Sequence, residues 1–171
     1  MGGFFFNLNC KIMRKLICLF FLLIAYNTFS QIPSVDIKTL NGGIINTADF
    51  DNDNSPIIIS FWATWCKPCK QELENIHEVY DDWREETNVK LIAISIDDAR
   101  NQAKIKPLVN SQGWEYEIYQ DSNREFATKM GVGPIPHTFL LNSDKKIIWD
   151  HVTYREGDEE KLYEKILEIT Q

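Results

Sequence analysis

The stretch FWATWCKPCKQE, Phe61 to Glu72, sets two cysteines two residues apart, between an apolar run and a run of helix formers. Upstream, PIIISFW (Pro56 to Trp62) is continuously apolar and rich in β-branched residues, the pattern of a strand buried on both faces. Downstream, Leu73, Ile76, Tyr80 and Trp83 recur at helical spacing among Glu72, Glu74, Glu78, Asp81 and Asp82. That periodicity predicts an amphipathic helix from Cys66 to about Glu86. VKLIAISI, Val89 to Ile96, reads as a second buried strand. Strand, helix and strand in this order make a βαβ unit, with a right-handed crossover as the expected connection.

Working outward, VDIKTLNGGIINTADF (Val35 to Phe50) predicts a hairpin turning at Asn41-Gly42-Gly43, and DNDNS then breaks the pattern. Beyond the βαβ unit come a helix from about Asp98 to Ser111, a short strand YEIYQ and a second helix NREFATKM. GVGPIP interrupts, and HTFLLN and KIIWDH flank the turn SDKK as an antiparallel hairpin. Glu159 to Ile169 closes the chain as a helix with Leu162, Ile166 and Ile169 on one stripe. The expected fold is α/β: a mixed central sheet flanked by helices, with an inserted α-β-α stretch between βαβ and ββα halves and an N-terminal hairpin.

The first thirty residues have a different character. Lys11, Arg14 and Lys15 precede an apolar run of 11 residues, Leu16 to Tyr26, and Asn27, Thr28, Phe29 and Ser30 follow. A basic region, an apolar region and small side chains at Thr28 and Ser30 fit a secretory signal cleaved after Ser30, with Met13 as an alternative start. The competing reading is an uncleaved anchor, although a spanning helix wants about 20 apolar residues. The expected organisation is a signal peptide at 1–30, a hairpin extension at 31–55 and one compact domain at 56–171. Cleavage removes three basic residues and no acid, leaving 15 Lys plus Arg against 25 Asp plus Glu, a net charge of −10 over 141 residues. An acidic chain without a basic cluster argues against nucleic acid and against an anionic membrane surface as partners.

Cleavage also removes Cys10 and Cys18, so that only Cys66 and Cys69 remain. Exported proteins normally use cysteines as bridges between distant segments. A bridge between residues three apart closes a tiny loop and restrains the unfolded chain little, so a stabilising role is unconvincing. At the start of a helix, free N–H groups and the macrodipole stabilise an anion. Cys66, at the first helical position, is then the lower-pKa thiolate, and Cys69, one turn on, is the shielded resolving partner. Lys67 adds a positive charge nearby, and Pro68 suits a first turn because it lacks an N–H. A metal site would need two more ligands, and His77, His137 and His151 stand at no zinc-like spacing. Two cysteines in an ordinary helix start leave the order of strand, WATW, CxxC and helix unexplained.

FWATWCKPC, followed some distance later by GPIPHTFLL, resembles the thioredoxin superfamily, and within it the chain is similar to the TlpA/ResA-like exported thiol-disulfide oxidoreductases. The resemblance implies that Pro136 is a cis-proline facing the CxxC. It implies too that Ile135 exposes its backbone for β-type pairing with a substrate chain. Thioredoxins proper carry a buried Asp in the strand before the motif; here the position is Ser60, a departure. In TlpA/ResA-like proteins a Glu three residues after the second cysteine can stand in, which points to Glu72 as proton acceptor for Cys69. The alternative for Glu72 is an ordinary first-turn carboxylate serving the helix dipole. Trp62 is expected in the core, and Trp65 as an apolar docking surface for unfolded substrate. His137, at a strand start, reads as structural, and His77 and His151 as surface or packing residues. Thr153 stands where many relatives have Gly, which alters the expected shape of the groove.

The implied function is an exported, periplasmic thiol-disulfide oxidoreductase without cofactor or metal, expected as a monomer. Its direction is expected to be reduction of disulfides in envelope proteins, apocytochrome c being one client. Its electrons come from a membrane electron-delivery thiol reductase, since the envelope is kept oxidising. The alternatives are a thiol oxidase of the same fold and a redox-inert binding or sensor module. A peroxidase wants a Thr or Ser three residues before the attacking cysteine, whereas Thr64 stands two before Cys66.

Overall fold

The computed structural model describes residues 32–170; the signal-peptide reading, with Cys10 and Cys18, lies outside the described residues. Its strands are β1 (Asp36–Thr39), β2 (Ile44–Asn46), β3 (Ile57–Trp62), β4 (Lys90–Ser95), β5 (Glu117–Gln120), β6 (His137–Leu141) and β7 (Ile147–Val152). Its helices are α1 (Lys67–Thr87), α2 (Ile105–Gln112), α3 (Glu125–Lys129) and α4 (Asp158–Thr170). The strands form one seven-stranded sheet in the order β2-β1-β5-β4-β3-β6-β7. β3, β4 and β5 are mutually parallel, and the β1–β5, β3–β6 and β6–β7 pairings are antiparallel. This is the mixed sheet expected from the order of elements, and its arrangement is the thioredoxin-like one that the resemblance implies.

β3 lies in the interior of the sheet between β4 and β6, and all six of its residues are buried, as a strand covered on both faces requires. The N-terminal hairpin turns through Gly42, whose φ of +86° suits a residue without a Cβ; Thr39 N–H closes the turn on Gly43 O at 2.9 Å. Because β1 pairs with β5, the hairpin and the inserted stretch extend the same sheet, and Ile32, Val35, Ile37 and Phe50 join the common core.

α1 buries Cys69, Glu72, Leu73, Ile76, Tyr80, Trp83 and Thr87, a single stripe at three- and four-residue spacing. Burying each large apolar member of that stripe contributes about 1.5–3 kcal/mol. The helix stops at Asn88, which adopts left-handed φ of 53° and returns its N–H to Arg84 O at 2.9 Å. α4 packs on α1 through stacked Trp83 and Tyr163 rings, 4.9 Å apart.

Three boundaries differ from expectation. α1 begins at Lys67, with Cys66 as its N-cap in extended conformation (φ −86°, ψ 104°) rather than its first helical residue, because Cys66 N–H closes a turn on Ala63 O at 3.0 Å. The helix predicted from Asp98 begins only at Ile105, after a 3-10 turn at Gln102–Lys104. Asp98 instead accepts N–H bonds from Arg100 and Asn101, holding a loop, and Pro107 falls in the first turn of α2, where its missing N–H has no helical partner to lose. On α4, Leu162 and Ile166 are buried, but Ile169 is exposed in the last turn, beyond the core.

Candidate active site

The loop 63–65 and the first turn of α1 carry Cys66 and Cys69 just past the C-terminal end of β3. They are joined by a disulfide, with Cα atoms 5.3 Å apart. Cys69 is fully buried and Cys66 nearly so, while Trp65, Lys67 and Pro68 around them are exposed. Cys69 N–H points at Cys66 Sγ over 3.3 Å, so a first-turn amide of α1 already faces the sulfur of the N-cap residue. With Pro68 supplying no N–H, that amide and the helix N-terminus are what would hold negative charge on Cys66 once the bond is reduced.

The loop before β6 closes the other side. The Ile135–Pro136 peptide is cis, and Ile135 O lies 3.8 Å from Cys66 Sγ. Ile135 is half-buried and Pro134 exposed, so a strip of backbone borders the disulfide. Thr153 N–H donates to Pro136 O at 2.8 Å, tying the end of β7 to this loop. Thr153 does so at φ +72°, a left-handed conformation that a β-branched residue rarely adopts.

Glu72 occupies a core position of α1, only 4% exposed. Ser60 Oγ donates to its Oε2 at 2.8 Å and Thr138 Oγ1 lies 2.8 Å from its Oε1. Burial pushes the Glu72 carboxyl up to about 7; the two hydroxyl bonds oppose that rise, and the nearby negative charges of Asp158 and Glu159 add to it. It therefore does not serve the helix terminus as an exposed first-turn carboxylate would. Ser60 and Thr138 face one another in the β3–β6 register, so two adjacent strands converge on a carboxyl from the helix above them.

Trp65, 61% exposed, stands beside Cys66 at the rim, whereas Trp62 is buried against Trp114 with ring centroids 5.4 Å apart. His137 is buried, with Nε2 3.0 Å from Asp150 Oδ2 and its ring stacked on Phe139; it belongs to the β6–β7 packing. His77 packs edge-on to Tyr116, and His151 stacks on Trp149 and bonds Asp158. Among the described residues, no three His, Cys, Asp or Glu side chains cluster as metal ligands.

Two features escaped the sequence reading. Asp97, fully buried after β4, accepts Thr64 N–H at 2.8 Å on Oδ2 and the Thr64 hydroxyl at 2.8 Å on Oδ1; Ser95 Oγ also donates to it at 2.8 Å. It therefore clamps the loop that presents Trp65 and Cys66, and it is the acceptor of the Thr64 hydroxyl. Thr138 is the other, one residue of the apolar HTFLL run. The available signal was a hydroxyl interrupting each of two apolar strands, Ser60 in PIIISFW and Thr138 in HTFLL.

The sequence profile of the AhpC/TSA family matches residues 29–150. The chain belongs to that family. The chain is 30% identical over 118 residues to the thiol-disulfide oxidoreductase ResA of Bacillus thuringiensis (strain Al Hakam), a match covering 69% of this chain and 65% of ResA. The chain thus spans somewhat less than two thirds of the length of that relative. Among solved structures it is similar to an uncharacterized thioredoxin-like protein of Porphyromonas gingivalis, at 46% identity and TM-score 0.74, covering 84% of this chain and 94% of that one. StoA of Bacillus subtilis matches at 25% identity and TM-score 0.61, over 78% of this chain and 97% of StoA. The resemblance carried by WCKPC and GPIPHTFLL thus extends over 69% of this chain in ResA and 84% in the Porphyromonas gingivalis protein.

Proposed function

We propose that this chain is an exported thiol-disulfide oxidoreductase that reduces disulfides of envelope proteins through Cys66 and Cys69. The observation that carries the reading is the Cys66–Cys69 pair at the head of α1, with Cys66 Sγ bordered by Ile135 O and by exposed Trp65. ResA, a relative of similar sequence, bears the name thiol-disulfide oxidoreductase.

In the dithiol state, Cys66 thiolate attacks one sulfur of a client disulfide and displaces the other as thiolate. Cys69 loses its proton, attacks Cys66 Sγ and releases the second client sulfur; two electrons pass to the client and the Cys66–Cys69 disulfide forms. Glu72, three residues along the same buried stripe from Cys69 and titrating near neutrality, is the proton acceptor for that second step. Ile135 and Pro136 line the client's path, Ile135 pairing with extended client backbone, and Trp65 receives its apolar side chains. No cofactor enters the cycle. The dithiol is restored by exchange with a membrane electron-delivery thiol reductase, apocytochrome c thiols are one client, and the protein acts as a monomer in the periplasm behind a signal at 1–30.

The deciding measurement is the reduction potential of the Cys66–Cys69 couple against glutathione or dithiothreitol. A value near −270 mV supports reduction, and one near −120 mV reverses the direction to oxidation. A couple that shows no reversible two-electron step sinks both and leaves a redox-inert module. In the same series, Cys69→Ser accumulates mixed disulfides with clients through Cys66.

A further inference from the structure

Three buried oxygen contacts join Ser60, Glu72 and Thr138. Ser60 Oγ lies 2.8 Å from Glu72 Oε2, Thr138 Oγ1 lies 2.8 Å from Glu72 Oε1, and the two hydroxyl oxygens are 3.1 Å apart. All three residues are at most 4% exposed, on β3, α1 and β6 respectively. Each hydroxyl brings one hydrogen, so two hydrogens face three contacts.

The hydrogens can be placed in two ways. With Glu72 ionised, both hydroxyls donate to the carboxylate, and the Ser60–Thr138 contact holds no hydrogen. With Glu72 protonated on Oε1, the carboxyl donates to Thr138 Oγ1, Thr138 donates to Ser60 Oγ, and Ser60 still donates to Oε2. That is a closed ring with one hydrogen in every contact. The two solutions differ only in the carboxyl proton and in the direction of the Thr138 O–H; no heavy atom moves.

We propose that Thr138 is a two-way hydroxyl, rotating between Glu72 and Ser60 so that Glu72 gains and loses its proton inside a fixed frame. Ser60 and Thr138 are positioning residues for the carboxyl. The use of that proton in thiol exchange rests on the reading under Proposed function; the ring itself does not. Both protonation states keep the carboxyl hydrogen-bonded, which a buried titrating group needs if neither state is to be left with unsatisfied polar atoms. The groups acting on Glu72 from outside the ring are Asp158 and Glu159 on α4, whose negative charges favour the protonated form, and the phenols of Tyr116 and Tyr154. Cys69, one turn back on α1, is the sulfur that the proton serves.

The test is a carbon-detected NMR titration of the Glu72 carboxyl in the oxidised full chain, for wild type, Thr138→Val, Thr138→Ser and Ser60→Ala. Wild type is expected to half-titrate near 7. Thr138→Val removes a charge-assisted donor from the ionised form and only a neutral acceptor from the protonated form, so the midpoint moves upward by about one pH unit. Ser60→Ala moves it the same way, and Thr138→Ser returns it to the wild-type value. A midpoint unchanged in Thr138→Val, or not restored in Thr138→Ser, overturns the proposal. If Thr138→Val fails to fold, an unchanged midpoint in Ser60→Ala overturns it instead. Activity plays no part in this readout: a protein that shows these shifts but reduces no disulfide supports the ring and overturns the functional reading.

Discussion

Replacing Glu72 by Gln should change how the stability of the oxidised protein depends on pH, by an amount that the site itself sets. A carboxyl whose ordinary value is 4.5 is pushed up to about 7 by burial in the fold. Between those values the folded chain holds a proton that the unfolded chain has released, so stability falls as pH rises through that window. Below pH 4.5 this group carries no penalty; above 7 the penalty is complete. A separation of about 2.5 pH units corresponds to about 3 kcal/mol. Gln does not titrate. Its amide can donate to Thr138 Oγ1 while its carbonyl accepts from Ser60 Oγ, the same sense of bonding that the protonated acid has. Urea unfolding of both oxidised proteins at pH 4.5 and pH 8 reads the effect, since every other titrating group is common to the pair. The stability gap should move by about 3 kcal/mol in favour of Gln on going from the lower to the higher pH. A gap that moves by less than about 1 kcal/mol refutes the assignment of Glu72 as a buried, near-neutral acid.

Asp97→Ala removes the acceptor of the Thr64 N–H, the Thr64 hydroxyl and the Ser95 hydroxyl, and should destabilise the oxidised protein by about 2–3 kcal/mol. Urea unfolding checks it, and a loss below about 0.5 kcal/mol, the range of an ordinary surface change, would show that the loop is held otherwise. Thr153→Gly relieves a β-branched residue of left-handed φ while retaining the N–H that meets Pro136 O, so it should stabilise the fold by about 1 kcal/mol. A destabilised Thr153→Gly protein in the same assay would mean that the threonine side chain makes up for its backbone.

Much of the fold was legible because its signals are local. PIIISFW and VKLIAISI are long enough in β-branched residues to declare buried strands, and Leu73, Ile76, Tyr80 and Trp83 mark the buried stripe of α1 without reference to anything else. The misplaced start of α2 shows the limit of such reading. Residues 98–104 carry no strong periodicity, and the competition between helix and side-chain-capped loop was decided by Asp98. Ile169 shows another: its spacing is helical, but the core ends before it does.

That two cysteines stand at the head of a helix directly after a buried strand follows from residue order alone, because that arrangement involves neighbours along the chain. What surrounds them comes from distant parts of the chain. Ile135 O reaches Cys66 across a separation of 69 residues, Thr138 reaches Glu72 across 66, and Thr64 reaches Asp97 across 33. Those meetings depend on which strands pair and in what register. Shifting β6 by one residue against β3 would turn Thr138 to the opposite face and leave Glu72 without its partner. Register is settled by the packing of the whole sheet, so a hydroxyl in each of two apolar strands does not by itself announce that Ser60, Thr138 and Glu72 meet.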